Sequence, residues 1–456
     1  MKMVRYGVGV LAVVVFTGVA AGRWLRPDYI PSERLIANAE AYIAEKPNDP
    51  SGYYTLGRIH YLAFANKAFL VGAFDEKTPP SVIQHWWWED YLDGARRAEA
   101  MHITFEEFGI KSTADLTDAN RAAFYERAGA IEAELIATEW RPKPPTTDRL
   151  IEHAGAAQWS FYRAASLDPN NALYVLGQAS LSEQYLEFFV EIGPAPMPSG
   201  LKTIVLNAVK QTYLLAYELS VRDDLALEWL PVEGLRCIIS YEAGRAFVRL
   251  WKAEQTIPSE VQEKIDEIET NLATFESLPV GAITPIVLSL EGAASLADLL
   301  APATTVSFDL DGDGRTEPRP WVKPTTGFLV WDPGRRGHIT SGRQMFGSVT
   351  WWMFFRDGYR AMDVLDDDRN GWLDGEELTG LSVWFDRNGN GRSDPGEVVP
   401  VADLGIVGIA TRPDGWDGES PMCTAGLRLK DGRILPTYDW IVPSVRPDSL
   451  QTESLR

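Results

Sequence analysis

The sequence predicts two unlike folding units in one chain: an all-α domain of helical hairpins, followed by a small α+β domain. Three observations carry this. The chain has 456 residues and 45% hydrophobic content, which suffices for two or three packed cores of roughly 100–200 residues each. From about Pro31 to Leu300 apolar residues recur at helical spacing. After Pro302, Gly, Asp and Asn crowd into short loops between aromatic, strand-like pieces. The expected division is 1–28 for a signal peptide or membrane anchor, 29–300 for the helical domain, 301–410 for the loop-bearing domain, and 411–456 for a β-hairpin tail with a frayed C-terminus.

At the N-terminus Lys2 and Arg5 precede an uncharged apolar stretch, residues 6–22, with small residues from Gly18 to Gly22. That order is the pattern of an export signal. The stretch sits at the lower limit for crossing a bilayer, and Arg23 and Arg26 follow directly, which suits an uncleaved anchor better than a cleaved peptide. The expectation is an exported protein in a periplasmic, cell-envelope or extracellular setting, with residues 6–22 as a candidate membrane tether. The net charge of −21, with no Lys/Arg run, argues against a nucleic-acid partner and favours cations or basic partners. Two cysteines, Cys237 and Cys423, cannot build a disulfide framework. The five histidines, His60, His85, His102, His153 and His338, show no zinc spacing and read as ordinary surface or core residues.

In the helical part, Phe124, Ala128, Ile131 and Leu135 mark one amphipathic helix, which stops before the Pro-rich linker Arg141 to Pro145. Ile265, Ile268, Leu272 and Phe275 mark another, opened by a capping-box pattern at Ser259 and Gln262 and closed by Pro279. Two places share a pattern: an apolar helix end, Pro-Asn, a short turn, then an aromatic and Leu-Gly. They are Pro47 with Leu56-Gly57 and Pro169 with Leu176-Gly177. Small residues such as Ala157 and Ala164 flank Phe161, and the Gly after Leu permits close helix approach. This resembles the tetratricopeptide helical repeat, which implies a concave surface that grips a protein partner. Trp86-Trp87-Trp88 is a candidate lining, because successive helical side chains turn by about 100° and three cannot share one core face.

Two loops after Pro302 carry chemistry. Asp366, Asp368, Asn370, Trp372, Asp374 and Glu377 occupy the first, third, fifth, seventh, ninth and twelfth positions of one, with Gly371 at the sixth. Asp386, Asn388, Asn390, Arg392, Asp394 and Glu397 repeat the order in the other, with Gly391 at the sixth. Alternating Asp and Asn aim hard oxygen donors inward, the Gly permits a sharp turn, and the seventh residue offers its backbone carbonyl. The closing Glu can supply both oxygens, which favours Ca2+ over Mg2+. These are EF-hand-type loops. The first, with four carboxylates among its ligands against three, is expected to bind more tightly. Only Leu378 to Phe385 separates the loops, about 12 Å if helical, which is too short for the paired helices of a calcium sensor.

The order of further motifs is Phe308-Asp309-Leu310-Asp311-Gly312-Asp313-Gly314, Gly327 to Asp332, Met345-Phe346-Gly347, the two loops, Ala402 to Ile406, then Asp431-Gly432 and Tyr438-Asp439-Trp440. It resembles the calcium-binding module of hemolysin-like, RTX-associated secreted bacterial proteins. The resemblance implies calcium at the matching loop positions and an exported protein. A loop opening at Asp332 has Gly334, Arg336 and Thr340 where ligands would stand, so it is expected to hold no metal. Asp309, Asp311 and Asp313 open a third loop, but Pro320 takes its twelfth position. Lys430-Asp431-Gly432 reads as a hairpin turn between Gly426–Leu429 and Arg433–Leu435.

The chain contains no GxSxG, HExxH, phosphate-binding loop or GxGxxG. The expected function is therefore that of a non-enzymatic calcium-binding protein whose helical domain mediates protein interaction. The alternative is an enzyme with its active site in the Trp-rich helical domain and a calcium-stabilised accessory module.

Overall fold

The computed structural model describes residues 29–65, 70–72, 96, 100–101, 103–110, 117–138, 146–192, 198–221, 238–277 and 283–443. The apolar stretch 6–22, the Trp86-Trp87-Trp88 run, His85, His102, Cys237, the linker at Arg141 to Pro145 and the tail from Ser444 lie outside these residues. Among the described residues no helix is long and apolar enough to cross a membrane.

The N-terminal region is helical. It comprises α1 (Ser32–Glu45), α2 (Pro50–Ala65), α3 (Asp118–Ala137), α4 (Thr147–Leu167), α5 (Ala172–Ile192), α6 (Ser199–Ser220), α7 (Ile238–Lys252) and α8 (Ser259–Ser277). Local chemistry sets several starts. Pro50, whose missing N–H costs a helix nothing in its first turn, opens α2, and Asp49 accepts the Ser51 amide at 2.9 Å. Thr146 caps α4 through the Arg149 amide, and Asn171 accepts the Leu173 amide at 3.1 Å as α5 begins. The predicted faces are buried at Phe124, Ala128 and Ile131 of α3 and at Ile265, Ile268 and Leu272 of α8.

Successive helices pack on one another, α1 on α2, α4 on α5 and so on to α8, and α2 also packs on α4. Phe161 of α4 is the hinge of this packing. A Cβ placed on Gly57 of α2, or on Gly177 of α5, would stand 2.8 Å from the Phe161 ring. The two Leu-Gly pairs thus open room for one aromatic side chain from opposite sides.

The C-terminal region is a nine-stranded antiparallel sheet with short helical turns. In chain order its strands are β3 (Ile286–Ser289), β6 (Thr326–Trp331), β7 (Trp372–Asp374), β8 (Leu381–Trp384), β9 (Val398–Pro400), β10 (Ile406–Ala410), β11 (Gly415–Asp417), β12 (Ser420–Leu429) and β13 (Ile434–Asp439). The spatial order is β7-β10-β12-β13-β3-β6-β8-β9, with β11 beside β12. Strands β4 (Leu300–Phe308) and β5 (Glu317–Val322) form a separate ribbon, and β1 (Tyr29–Pro31) pairs with β2 (Leu70–Gly72). The one full α-helix here is α9 (Gly358–Asp363), just before the first loop.

Strand alternation sends side chains to two cores. Val287, Phe328 and Val330 join Tyr54, Phe161 and Tyr217 of the helical region in one. Ile286, Leu288 and Leu329 join Phe346, Trp351 and Met362, with Leu35 and Ala39 of α1, in the other. Both faces of the sheet are therefore covered, and the two regions share their interiors.

Two expectations are corrected. The boundary at residue 300 falls too late, because β3 lies in the middle of the sheet between β13 and β6. Its β-branched Ile286 and Val287 follow Pro285 and suit a doubly buried strand rather than a helix. The segment 411–456 is not a separate tail, since β11, β12 and β13 belong to the same sheet; the hairpin within it is as expected, with Leu427 opposite Leu435 and Gly432 at φ 88°. Between the two loops lies β8, which pairs with β6 and β9.

Candidate metal centre

Four loops of the sheet domain share one turn. In each, an Asp carboxylate accepts the amide of the glycine five residues on: Asp309 from Gly314 at 3.1 Å, Asp332 from Gly337 at 2.8 Å, Asp366 from Gly371 at 2.9 Å and Asp386 from Gly391 at 2.8 Å. The four glycines have φ of 85°, 63°, 86° and 69°, which a side chain would strain.

The two complete loops match further. Glu377 accepts the Asp367 amide at 2.7 Å on one oxygen and the Asp374 amide at 3.1 Å on the other. Glu397 does the same with Arg387 at 2.8 Å and Asp394 at 3.1 Å. Each closing carboxylate is thereby drawn across its loop with both oxygens. The fifth residue accepts the amide of the seventh in both, Asn370 from Trp372 and Asn390 from Arg392, at 2.7 Å.

Their charge differs. In the first loop oxygen atoms of Asp366, Asp368 and Glu377 lie within 4.8 Å of one another. Asp366 is fully buried and its Oδ1 has no hydrogen-bond partner. Burial, then the neighbouring carboxylates, pushes Glu377 up to about 8; burial is likewise the chief cause that raises Asp366 to about 7. Burial also acts upward on Asp368, but an ion pair with Arg121 of α3 outweighs it and holds that group low. Asp374 and Glu377 cap the short turn at Gly375–Leu378 reciprocally. Leu373 is fully buried, and Trp372 stacks under Arg428 at 3.4 Å.

The second loop replaces charge by amides. Asn388 and Asn390 both donate to Asp394, at 2.7 and 2.9 Å, and hold its carboxyl low. Asp386 is anchored instead by the Trp321 indole N–H at 2.7 Å. Among the described residues the three-carboxylate clusters are the first loop and the Asp309, Asp311, Asp313 group. In the latter, burial and then Asp313 push Asp309 up to about 6, and its Oδ1 has no hydrogen-bond partner. That loop lacks a closing acid, for Pro320 stands at its twelfth position, and Glu317, at its ninth, is engaged by Arg319 at 2.5 Å. The loop at Asp332 keeps the turn, and its Asp332 carboxylate also accepts the amide of Arg336, the fifth residue, at 2.8 Å.

The sequence reading missed Asp367. At the second loop position it stands outside the expected ligand set, yet it accepts from Arg34 at 2.8 Å, Asn38 at 2.7 Å and the Tyr125 hydroxyl at 2.9 Å. These contacts with α1 and α3 span more than 240 residues of sequence, so no local pattern could announce them.

The assembled features are those of a helical region joined to an antiparallel sheet domain that bears Asp-rich, glycine-turned loops. Residues 286–422 match the family model described as the SPM domain, from the start of β3 into β12. No curated protein matches the chain.

Proposed function

We propose that this is an exported, non-enzymatic calcium-binding protein, in which Ca2+ fastens the sheet domain and the helical region engages a protein partner. The first loop carries the reading. Asp366, Asp368, Asn370, Asp374 and Glu377 offer only oxygen donors, the closing acid already spans the loop with both oxygens, and a fully buried oxygen of Asp366 has no hydrogen bond. A hard divalent cation suits that donor set and would relieve the crowding that raises Glu377 and Asp366. Asp386, Asn388, Asn390, Asp394 and Glu397 would hold a second ion more weakly. The relation to the hemolysin-like calcium modules and to the tetratricopeptide repeat belongs to the same proposal. Its support is the order of the loops and the Gly57–Phe161–Gly177 packing. Exposed Trp159 and Tyr162 on α4 and Ile204 on α6 support a partner-facing helical surface.

Calcium calorimetry on the full chain tests this. Saturable binding is expected, with the tighter phase lost in Glu377→Gln and the weaker phase in Glu397→Gln. No saturable heat, or binding unchanged in Glu377→Gln, overturns the reading.

A further inference from the structure

A cavity of about 680 Å³ lies between the helical region and the sheet domain. That is a size suited to a small organic ligand, for which pockets run about 300–1,000 Å³. One wall comes from α2, α5 and α7, the other from the sheet domain between Asp313 and Phe354. Although the chain carries −21, the cavity lining is net positive: Arg58, Arg245, Arg249, Arg315 and Arg343 line it against Glu183, Glu242 and Asp313, with Glu183 paired to Arg249 at 2.6 Å.

Arg58 is the informative member. It is 9% exposed, and its Nε and Nη2 donate to the carbonyl oxygen of Trp352 at 3.2 and 3.0 Å. The Tyr61 and Phe354 rings flank the guanidinium at 4.8 and 5.9 Å. Among the described residues no carboxylate pairs with it. A buried cation is ordinarily matched by an anion, because a neutral carbonyl repays only part of its lost hydration. Backbone strain lies on the facing wall, for Trp352 and Phe354 have φ of 60° and 55°, which bulky residues rarely adopt.

We infer that this cavity binds a small organic carboxylate, its acid group seated on Arg58 and its body packed against the Tyr61 and Phe354 rings. The guanidinium fork matches a carboxylate, whereas the three wall carboxylates oppose a more highly charged phosphate. The inference does not rest on calcium, so its failure and that of the calcium reading are separable.

Calorimetry on the full chain with phenylacetate, glutarate, citrate and N-acetyl-tyrosine tests it, with phenylacetamide and inorganic phosphate as comparisons. N-acetyl-tyrosine stands for a peptide C-terminus and the others for free acids, so the best probe distinguishes the source. At least one carboxylate should saturate with a Kd below about 1 mM, the range of a weak specific site. Its affinity should fall tenfold or more in Arg58→Met and several-fold in Arg245→Gln, while Arg433→Gln leaves it unchanged. Arg245 is exposed and stacks on Tyr241, so its variant decides the matter if Arg58→Met does not fold. Absence of saturation by every carboxylate, equal binding of phenylacetamide or phosphate, or affinity unmoved in the folded arginine variants overturns the proposal.

Discussion

Single residues explain how the helical region closes. Gly57 and Gly177 each face the buried Phe161 ring at a distance no Cβ could occupy without displacing it. Gly57→Ala or Gly177→Ala should therefore destabilise the protein by about 1–3 kcal/mol in urea unfolding, as overpacking does. Gly155→Ala on exposed α4 surface has open space and should stabilise by about 0.5–1 kcal/mol. The glycines were legible in the Leu-Gly pairs, but their common partner was not, since it depends on α4 lying between α2 and α5. Glu377 adds a second residue-scale expectation. Its carboxyl is raised to about 8 in the folded chain from an ordinary 4.5, so the metal-free protein holds the extra proton. The stability this confers is full below about pH 4.5 and is lost as pH rises towards 8. Chelated protein should show that decline in melting temperature, Glu377→Gln should flatten it, and a profile identical in the variant would refute the assignment.

At the scale of elements, α2 and α4 are joined by a histidine pair, His60 Nδ1 to His153 Nδ1 at 2.8 Å. One ring must donate and the other accept, so at least the accepting ring is neutral. Burial is the main cause that pushes His60 down to about 3 and His153 down to about 4, with His153 adding to the shift of His60 and the Arg149 charge to that of His153. Because the folded values lie below the ordinary 6.5, the unfolded chain binds more protons as pH falls, and the α2–α4 contact loses stability as pH falls from about 6.5 to about 3. His153→Gln should reduce the acid sensitivity of unfolding across that window; an unchanged pH slope would refute the pair's role. Elements differ in how far sequence revealed them. The helices of the first half were legible from apolar spacing and caps, and the Asx-rich loops from ligand order. Leu381–Trp384 and Ile286–Ser289 were not, because a short apolar run fits a buried strand or a helix alike, and only sheet pairing decides.

The molecule as a whole ties its candidate metal loop to its helical region. Asp367 collects Arg34 and Asn38 from α1 and Tyr125 from α3, and Arg121 of α3 pairs with Asp368 in the loop itself. Arg34 also donates to the Leu365 carbonyl and Asn38 to that of Val364, while Arg369 reaches Glu45 at the end of α1. Whatever fixes residues 364–369 therefore fixes the seat of two helices. A cation drawing Asp366, Asp368 and Glu377 together would order that seat, and the proposed calcium site becomes a clasp between regions distant in sequence. Hydrogen exchange on the full chain checks this. Chelation should speed exchange in α1 and α3 as well as in residues 366–377, and leave α7 and α8 slower to respond. Asp367→Ala should loosen α1 and α3 in the presence of calcium while leaving calcium affinity within a few-fold, because Asp367 is not among the predicted ligands. Exchange confined to the loop on chelation would show that the site serves the sheet domain alone.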